Sequence, residues 1–285
     1  TLKLVTICLE LWGNQDAINA KLETLLLLRD LCTFVDNNSY EKVMKKAYLT
    51  YISSCTSVTW RNYDLVSFMT NGLVELFRCR SDISYILVFN ILQGIAGKTK
   101  GLYTANDAEK IKKLFNWKTL NTLRFIAKAV CAMGREAPDY GQLVYPTIET
   151  LRAIACLFPA LQYIPFRLHI LRLLVELGEE CNTNIPLFDI FLQMLKTQHF
   201  MAKKKYTKAI ASADPEITVK LSKEHLGSQD LWEGIFASFT DLLMIYISLP
   251  CTTPYFPEFA VLLFRLLNSV RKLTENPSLR SHLKR

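Results

Sequence analysis

The residues of this sequence whose types could do chemistry are four histidines, eight cysteines, a pair of adjacent glutamates and two clusters of basic residues. His169, His199, His225 and His282 do not lie at metal-ligand spacing from one another or from a cysteine pair. Cys8, Cys32, Cys55, Cys79, Cys131, Cys156, Cys181 and Cys251 are scattered singly, without a C-x-x-C pair. Most sit in apolar helical runs such as Ala129-Val130-Cys131 and Ala155-Cys156-Leu157, where a thiol behaves as a small buried hydrophobe. Such usage fits a reducing compartment and predicts no metal site. Glu179-Glu180 could in principle divide acid and base roles, but adjacent acids near a helix end are more simply a solvated pair. The sequence carries no phosphate-binding glycine loop, dinucleotide fingerprint, serine elbow or zinc-protease helix. No residue presents itself as a nucleophile, so no enzyme, cofactor or small-molecule substrate is expected.

The charge is more informative. The net +8 is uneven: residues 196–223 hold seven lysines against Asp214 and Glu216, and residues 265–285 hold six basic residues against Glu275. Between them, residues 224–264 carry five acids and neither Lys nor Arg. Local basic patches of this kind suit a polyanionic partner. Lys203, Lys204, Lys205 and Lys208 are the main candidates for phosphate contact, with Tyr206 placed to stack on a base and Arg271 and Lys272 as a second patch. A solvated lysine loop accounts for the same run equally well.

The elements that must position these residues are helices. Apolar residues recur at three and four through Leu2–Trp12, Ala17–Val35, Tyr40–Ser53 and Asn62–Phe77. Asp82 marks the start of a helix ending at Ala96, Gly97–Thr104 is expected to be a loop, and a short helix follows from Asn106-Asp107 to Phe115. Trp117–Met133 comes next, then Gln142–Phe158 with Pro146 in its first turn. Phe166–Leu177, capped by Gly178, and Leu187–Leu195, opened by Pro186, continue the series. Helices resume at Ser228–Leu249 and Phe256–Leu273. Starts separated by about 21 to 25 residues give helix pairs in the armadillo and HEAT range. The expectation is an all-α, armadillo/HEAT-like helical-repeat stack, with an irregular bundle as the alternative. Residues 1–196 would form the stack, 197–227 a long basic insertion lying over it, and 228–285 the helices that complete it.

Phe166–Leu177 is apolar nearly all round, which predicts packing between neighbours on every side. His169, Arg172 and Glu176 fall on one narrow stripe and Arg167 roughly opposite. Arg167 is therefore expected to be buried and held by a carboxylate or backbone carbonyls. The chain opens on Thr1 without a basic stretch followed by an apolar region, so no secretory signal is expected. Leu242–Leu249 is broken by Pro250 and Phe259–Leu267 carries Arg265, so neither reaches the roughly 20 apolar residues of a membrane span, and a soluble protein is expected.

Leu143-Val-Tyr-Pro146, Phe158-Pro159, the Tyr163-x-Pro165-x-Arg167-x-His169 run, Arg172 and Asn184-Ile-Pro186-Leu187 resemble the central signature of the nucleolar complex protein 2 family. Ser67–Leu76, Phe115-Asn-Trp117, Val219–Lys223 and Phe256-Pro-Glu-Phe259 follow in the family's order, so the resemblance spans about residues 40–275. It implies a factor of the nucleolus and nucleus, acting as a scaffold in assembly of the large ribosomal subunit on an armadillo or HEAT-like fold. The implied partners are other nucleolar complex helical-repeat proteins, the pre-60S particle and pre-ribosomal RNA. Some animal relatives are linked to histone binding, so a chromatin-associated corepressor is the alternative function. The long charged tails of family members are not within these residues, and the 197–215 stretch departs from the family pattern; tail-dependent histone binding is accordingly the less expected role.

Overall fold

Apolar residues at helical spacing make this chain all-α. The computed structural model describes residues 2–14, 17–105, 108–201, 214–222 and 225–283, and contains no β-strand among them. Two compact units divide the chain, Thr1–Ala153 and Ile154–Arg285. The first holds α1 (Leu2–Asn14), α2 (Ile18–Phe34), α3 (Asn37–Ser54), α4 (Tyr63–Arg78), α5 (Ser81–Ala105), α6 (Ala108–Leu114), α7 (Trp117–Gly134) and most of α8 (Pro138–Leu157). The second holds α9 (Ile164–Glu180), α10 (Phe188–Leu195), α11 (Gln198–Met201), α12 (Gln229–Ser248), α13 (Phe256–Leu273) and α14 (Pro277–His282).

In the first unit α1 packs on α2 and α3, α3 on α4 and α5, and α4 on α7. Phe125 of α7 anchors this core, meeting Phe77 edge-on with ring centroids 5.0 Å apart. Two tyrosines are buried there with their hydroxyls satisfied. Tyr40 donates to the Leu76 carbonyl at 2.8 Å, and Tyr51 to that of Asn121 at 3.1 Å. Burial pushes both phenols well above their usual range. Lys21 is only 1% exposed. Its ammonium donates to the Trp12 and Gly13 carbonyls in the last turn of α1, where the helix dipole favours a cation.

Three element boundaries depart from the sequence reading, each for a tertiary reason. No loop forms at 97–104, because α5 runs through to Ala105. Its buried face of Leu87, Leu92, Ile95 and Thr99 continues across Gly97, and Thr99 Oγ1 donates to the Ile95 carbonyl at 2.9 Å. A glycine costs about 1 kcal/mol in a helix, too little to end one that is packed. Pro146 lies in the interior of α8 rather than its first turn, since the helix begins at Pro138. Tyr140, 1% exposed with its hydroxyl donating to the Ser81 carbonyl, holds that earlier turn in place. Gly178 is inside α9, and the left-handed C-terminal residue is Asn182 (φ 48°). There Thr183 N–H donates to the Gly178 carbonyl at 2.9 Å and Asn182 N–H to that of Glu179 at 3.2 Å, closing the helix. Gly178 is needed for room: a Cβ would sit 3.2 Å from the Thr183 carbonyl oxygen.

The apolar run that the sequence reading broke at Pro250 is longer in the structure. Gln229–Thr252 is the one described helical stretch apolar and long enough to cross a membrane. Its face of Leu231, Trp232, Ile235, Phe236, Phe239, Leu242 and Leu243 is nevertheless buried in the second unit, as in a core helix.

The cysteines also divide. Cys8, Cys32 and Cys55 are buried, and burial raises the Cys32 and Cys55 thiols to about 12. Cys131 is half-buried and Cys156 exposed, contrary to the expectation for both. Ile154 and Ala155 are buried on α8, and the next position turns about 100° away from them. No group of three metal-ligating residues occurs among the described residues.

Candidate functional site

The Tyr-x-Pro-x-Arg-x-His run opens α9, with Pro165 in its first turn. Tyr163, Pro165, Arg167 and His169 are all buried. Successive residues of the run turn to different sides, and each side meets a different neighbour. His169 Nε2 lies 3.3 Å from the Thr218 carbonyl, and the Arg172 guanidinium forms a two-pronged ion pair with the Glu216 carboxylate. Leu221 N–H donates to the Gln162 carbonyl at 2.8 Å, while the Lys220 ammonium sits 5.9 Å from the Tyr163 ring centre. Residues 214–221 are thus strapped along the start of α9, with Pro215, Val219 and Leu221 buried beneath.

Arg167 points the other way. It is 1% exposed, and its partner is the side-chain amide oxygen of Gln193 on α10, not a carboxylate or a backbone carbonyl as the sequence suggested. Its buried Nε has no partner among the described residues. Burial pulls the guanidinium pKa below its ordinary value. The sequence placed this arginine correctly by helical angle, but an exposed Gln on another helix is invisible to periodicity. Pro186 lies apart from α9, exposed between buried Ile185 and Leu187, and the Leu187 N–H donates to the Tyr246 hydroxyl at 3.2 Å.

The two ends of the 197–227 stretch belong to the core of the second unit. Phe200, fully buried, meets Trp232, Phe236 and Phe239 edge-on with centroids 5.1 to 6.1 Å away. Glu275 N–H donates to the Met201 carbonyl at 2.8 Å, and Thr274 Oγ1 donates to that of Phe200 at 3.2 Å. The basic candidates Lys203, Lys204, Lys205, Tyr206 and Lys208 lie outside the described residues, between the anchors at Met201 and Asp214. Arg271 and Lys272 occupy the last turn of α13, where cations also complement the helix dipole. Glu216 and Thr218 were not singled out from sequence, and Lys220 only as part of the Val219–Lys223 resemblance, because a short irregular segment has no period to reveal which side it turns inward.

The strap yields a direct measurement. Both ion-pair side chains are partly exposed, at 30% for Arg172 and 26% for Glu216, so solvent screens them. A double-mutant cycle with Arg172→Ala and Glu216→Ala is expected to give a coupling of about 1 kcal/mol, at the upper end for a two-pronged pair with solvent access. A coupling indistinguishable from zero would mean that the apolar residues hold the strap alone.

Two helix faces are open. On α13, Leu262, Leu266 and Leu273 share a stripe, with Leu262 62% exposed, while Val261 and Phe264 are exposed on other sides of the helix. On α1, Leu4, Ile7 and Leu11 form a second stripe, and α2 adds Ile18, Leu22 and Leu26 beside it in the same unit.

Comparison with known proteins gives these features a context. The profile of the Noc2p family matches residues 38–285. Nucleolar complex protein 2 of Drosophila melanogaster is 25% identical over 258 residues, which is 88% of this chain and 32% of the relative. Nucleolar complex-associated protein 2 of Arabidopsis thaliana is 24% identical over 284 residues, 99% of this chain and 36% of the relative. A nucleolar complex protein 2 homolog of Caenorhabditis elegans is 28% identical over 188 residues, covering 63% of this chain and 26% of the relative. The chain therefore spans about a third of the length of the curated relatives it matches. With the family profile extending over nearly the whole chain, including the α9 signature and the strap it holds, this protein belongs to the Noc2p family.

Proposed function

We propose that this chain is a non-catalytic, helical-repeat scaffold of the nucleolus that acts in assembly of the large ribosomal subunit. It docks another nucleolar helical-repeat protein and contacts pre-ribosomal RNA. The relatives' names support the nucleolar setting. The observation that carries the docking role is the open apolar stripe on α13, matched by the one on α1 and α2. Single exposed leucines are ordinary, but a run of them at i, i+4 and i+11 on one helix lacks a covering neighbour. A second helix face of like character covers such a stripe by the same ridge-and-groove packing that builds the unit itself.

Sedimentation of the tagged protein from nuclear extract, with sequencing of the RNA that accompanies it, tests this reading. The parent is expected to travel with large-subunit precursors. Leu262→Glu with Leu266→Glu should shift it to the top of the gradient while leaving folding within about 0.5 kcal/mol, since both side chains are exposed. Burying two such side chains is worth several kcal/mol at about 25 cal/mol per Å², so the loss of affinity should exceed about tenfold. A parent that never leaves the top of the gradient overturns the assembly role. A variant that sediments like the parent overturns docking through α13.

A further inference from the structure

The Glu179-Glu180 pair and the Asn184-Ile-Pro-Leu187 run are sequence features that neither the strap nor the open stripes use. The fold brings them together. The last turn of α9 and residues 183–187 form one wall of a cavity of about 480 Å³ in the second unit. Leu249, Pro250 and Tyr255, from the connection between α12 and α13, form the other. Val175, Ile185, Leu249 and Pro250 give the cavity an apolar lining, and Tyr255 adds an aromatic ring that is 41% exposed. Glu179, exposed at the C-terminal end of α9, is the one charged residue of the lining among the described residues. No Lys, Arg or His joins it there, and the stretches that supply the lining, 174–187 and 246–255, are described throughout.

From this geometry we infer that the cavity receives an arginine side chain of a partner protein, with the guanidinium at Glu179 and Tyr255 and the methylene stem on the apolar lining. The inference adds a contact to the docking part of the proposed function and rests on that part. A carboxylate in the last turn of a helix sits at the negative end of the dipole, so a cation beside it is attracted by both. The planar guanidinium can bond a carboxylate with two prongs and lie over a tyrosine ring, whereas a compact, strongly hydrated ammonium can do neither as well. Its stem covers apolar surface while its head stays near water. RNA does not suit the same place, because its phosphates would meet a carboxylate and a helix C-terminus instead of cations.

NMR of the whole chain, labelled at the Ile185 δ1 methyl and titrated with N-acetyl-arginine amide, tests the site. N-acetyl-citrulline amide, of the same shape without the charge, is the control. The arginine probe is expected to shift this methyl and to bind about fivefold more tightly than the citrulline probe, the ratio falling with added salt. Glu179→Gln, at an exposed position, should fold as the parent does and reduce the ratio to less than about twofold. Tyr255→Leu should weaken the arginine probe about threefold. A methyl that does not respond, or a parent that binds both probes equally, overturns the inference, as does a Glu179→Gln variant that keeps the full ratio. Spermidine bound more tightly than the arginine probe at equal charge concentration would assign the cavity to a free polyamine, and an oligouridine that shifts the same methyl would assign it to RNA; either result overturns the partner's arginine. An arginine probe that binds as expected, in a chain that never leaves the top of the gradient, supports the cavity and overturns the assembly role alone.

Discussion

Phe200→Ala is expected to destabilise the second unit by about 3–5 kcal/mol, the cost of emptying a fully buried aromatic site. The ring has no exposed surface and sits among Trp232, Phe236 and Phe239. Edge-on aromatic pairs add about 0.5–1.5 kcal/mol beyond area burial, which favours the upper part of the range. Hydrogen exchange followed on α12 peptides reports this unit directly, and protection there should fall by two to three orders of magnitude, at about 1.4 kcal/mol per tenfold. Joint replacement of Lys203, Lys204, Lys205 and Lys208 by Gln should leave the same amides unchanged. Unaltered protection in Phe200→Ala would show that the aromatic cluster closes over the vacancy.

Arg167→Met is expected to stabilise the protein by about 1–3 kcal/mol. A buried guanidinium loses hydration that a single amide oxygen on Gln193 repays only in part, and its Nε has no partner among the described residues. Burial already depresses its pKa, which is the same energetic deficit seen from the proton. Methionine fills comparable volume without a charge to desolvate. Arg167→Ala should be less stable than Arg167→Met, because it removes the same charge but leaves a cavity. Urea midpoints at unchanged slope would order the three proteins as Met, parent, Ala. A lower midpoint for Arg167→Met would show that the guanidinium contributes net stability through contacts beyond Gln193.

Periodicity and proline placement were enough to read the helices, because each repeats a local rule many times. Phe256–Leu273 and Trp117 onward were legible for that reason. The boundaries that failed were those where a single residue was asked to decide. Gly97, Pro146 and Gly178 each have a local preference of a few kcal/mol at most, which packing of the rest of the helix exceeds. The α9 signature was legible as a motif and by helical angle, whereas its partners Glu216, Thr218 and Gln193 were not. They are remote in sequence: Glu216 and Thr218 lie in a segment without a period of its own, and Gln193 is on the exposed side of α10, where periodicity does not say what it meets.

The sequence by itself determined the all-α class, the order of the main helices and the turning of Arg167 away from His169 and Arg172. These follow from the 3.6-residue geometry of one helix at a time. Only the tertiary structure decided that Phe200 is core, that Arg167 meets an amide while Arg172 meets a carboxylate, and that Glu179 and Tyr255 line one cavity. A helix fixes the direction in which a side chain leaves its axis. What waits there depends on which distant segment is packed against it, and that is settled by burial summed over the whole unit.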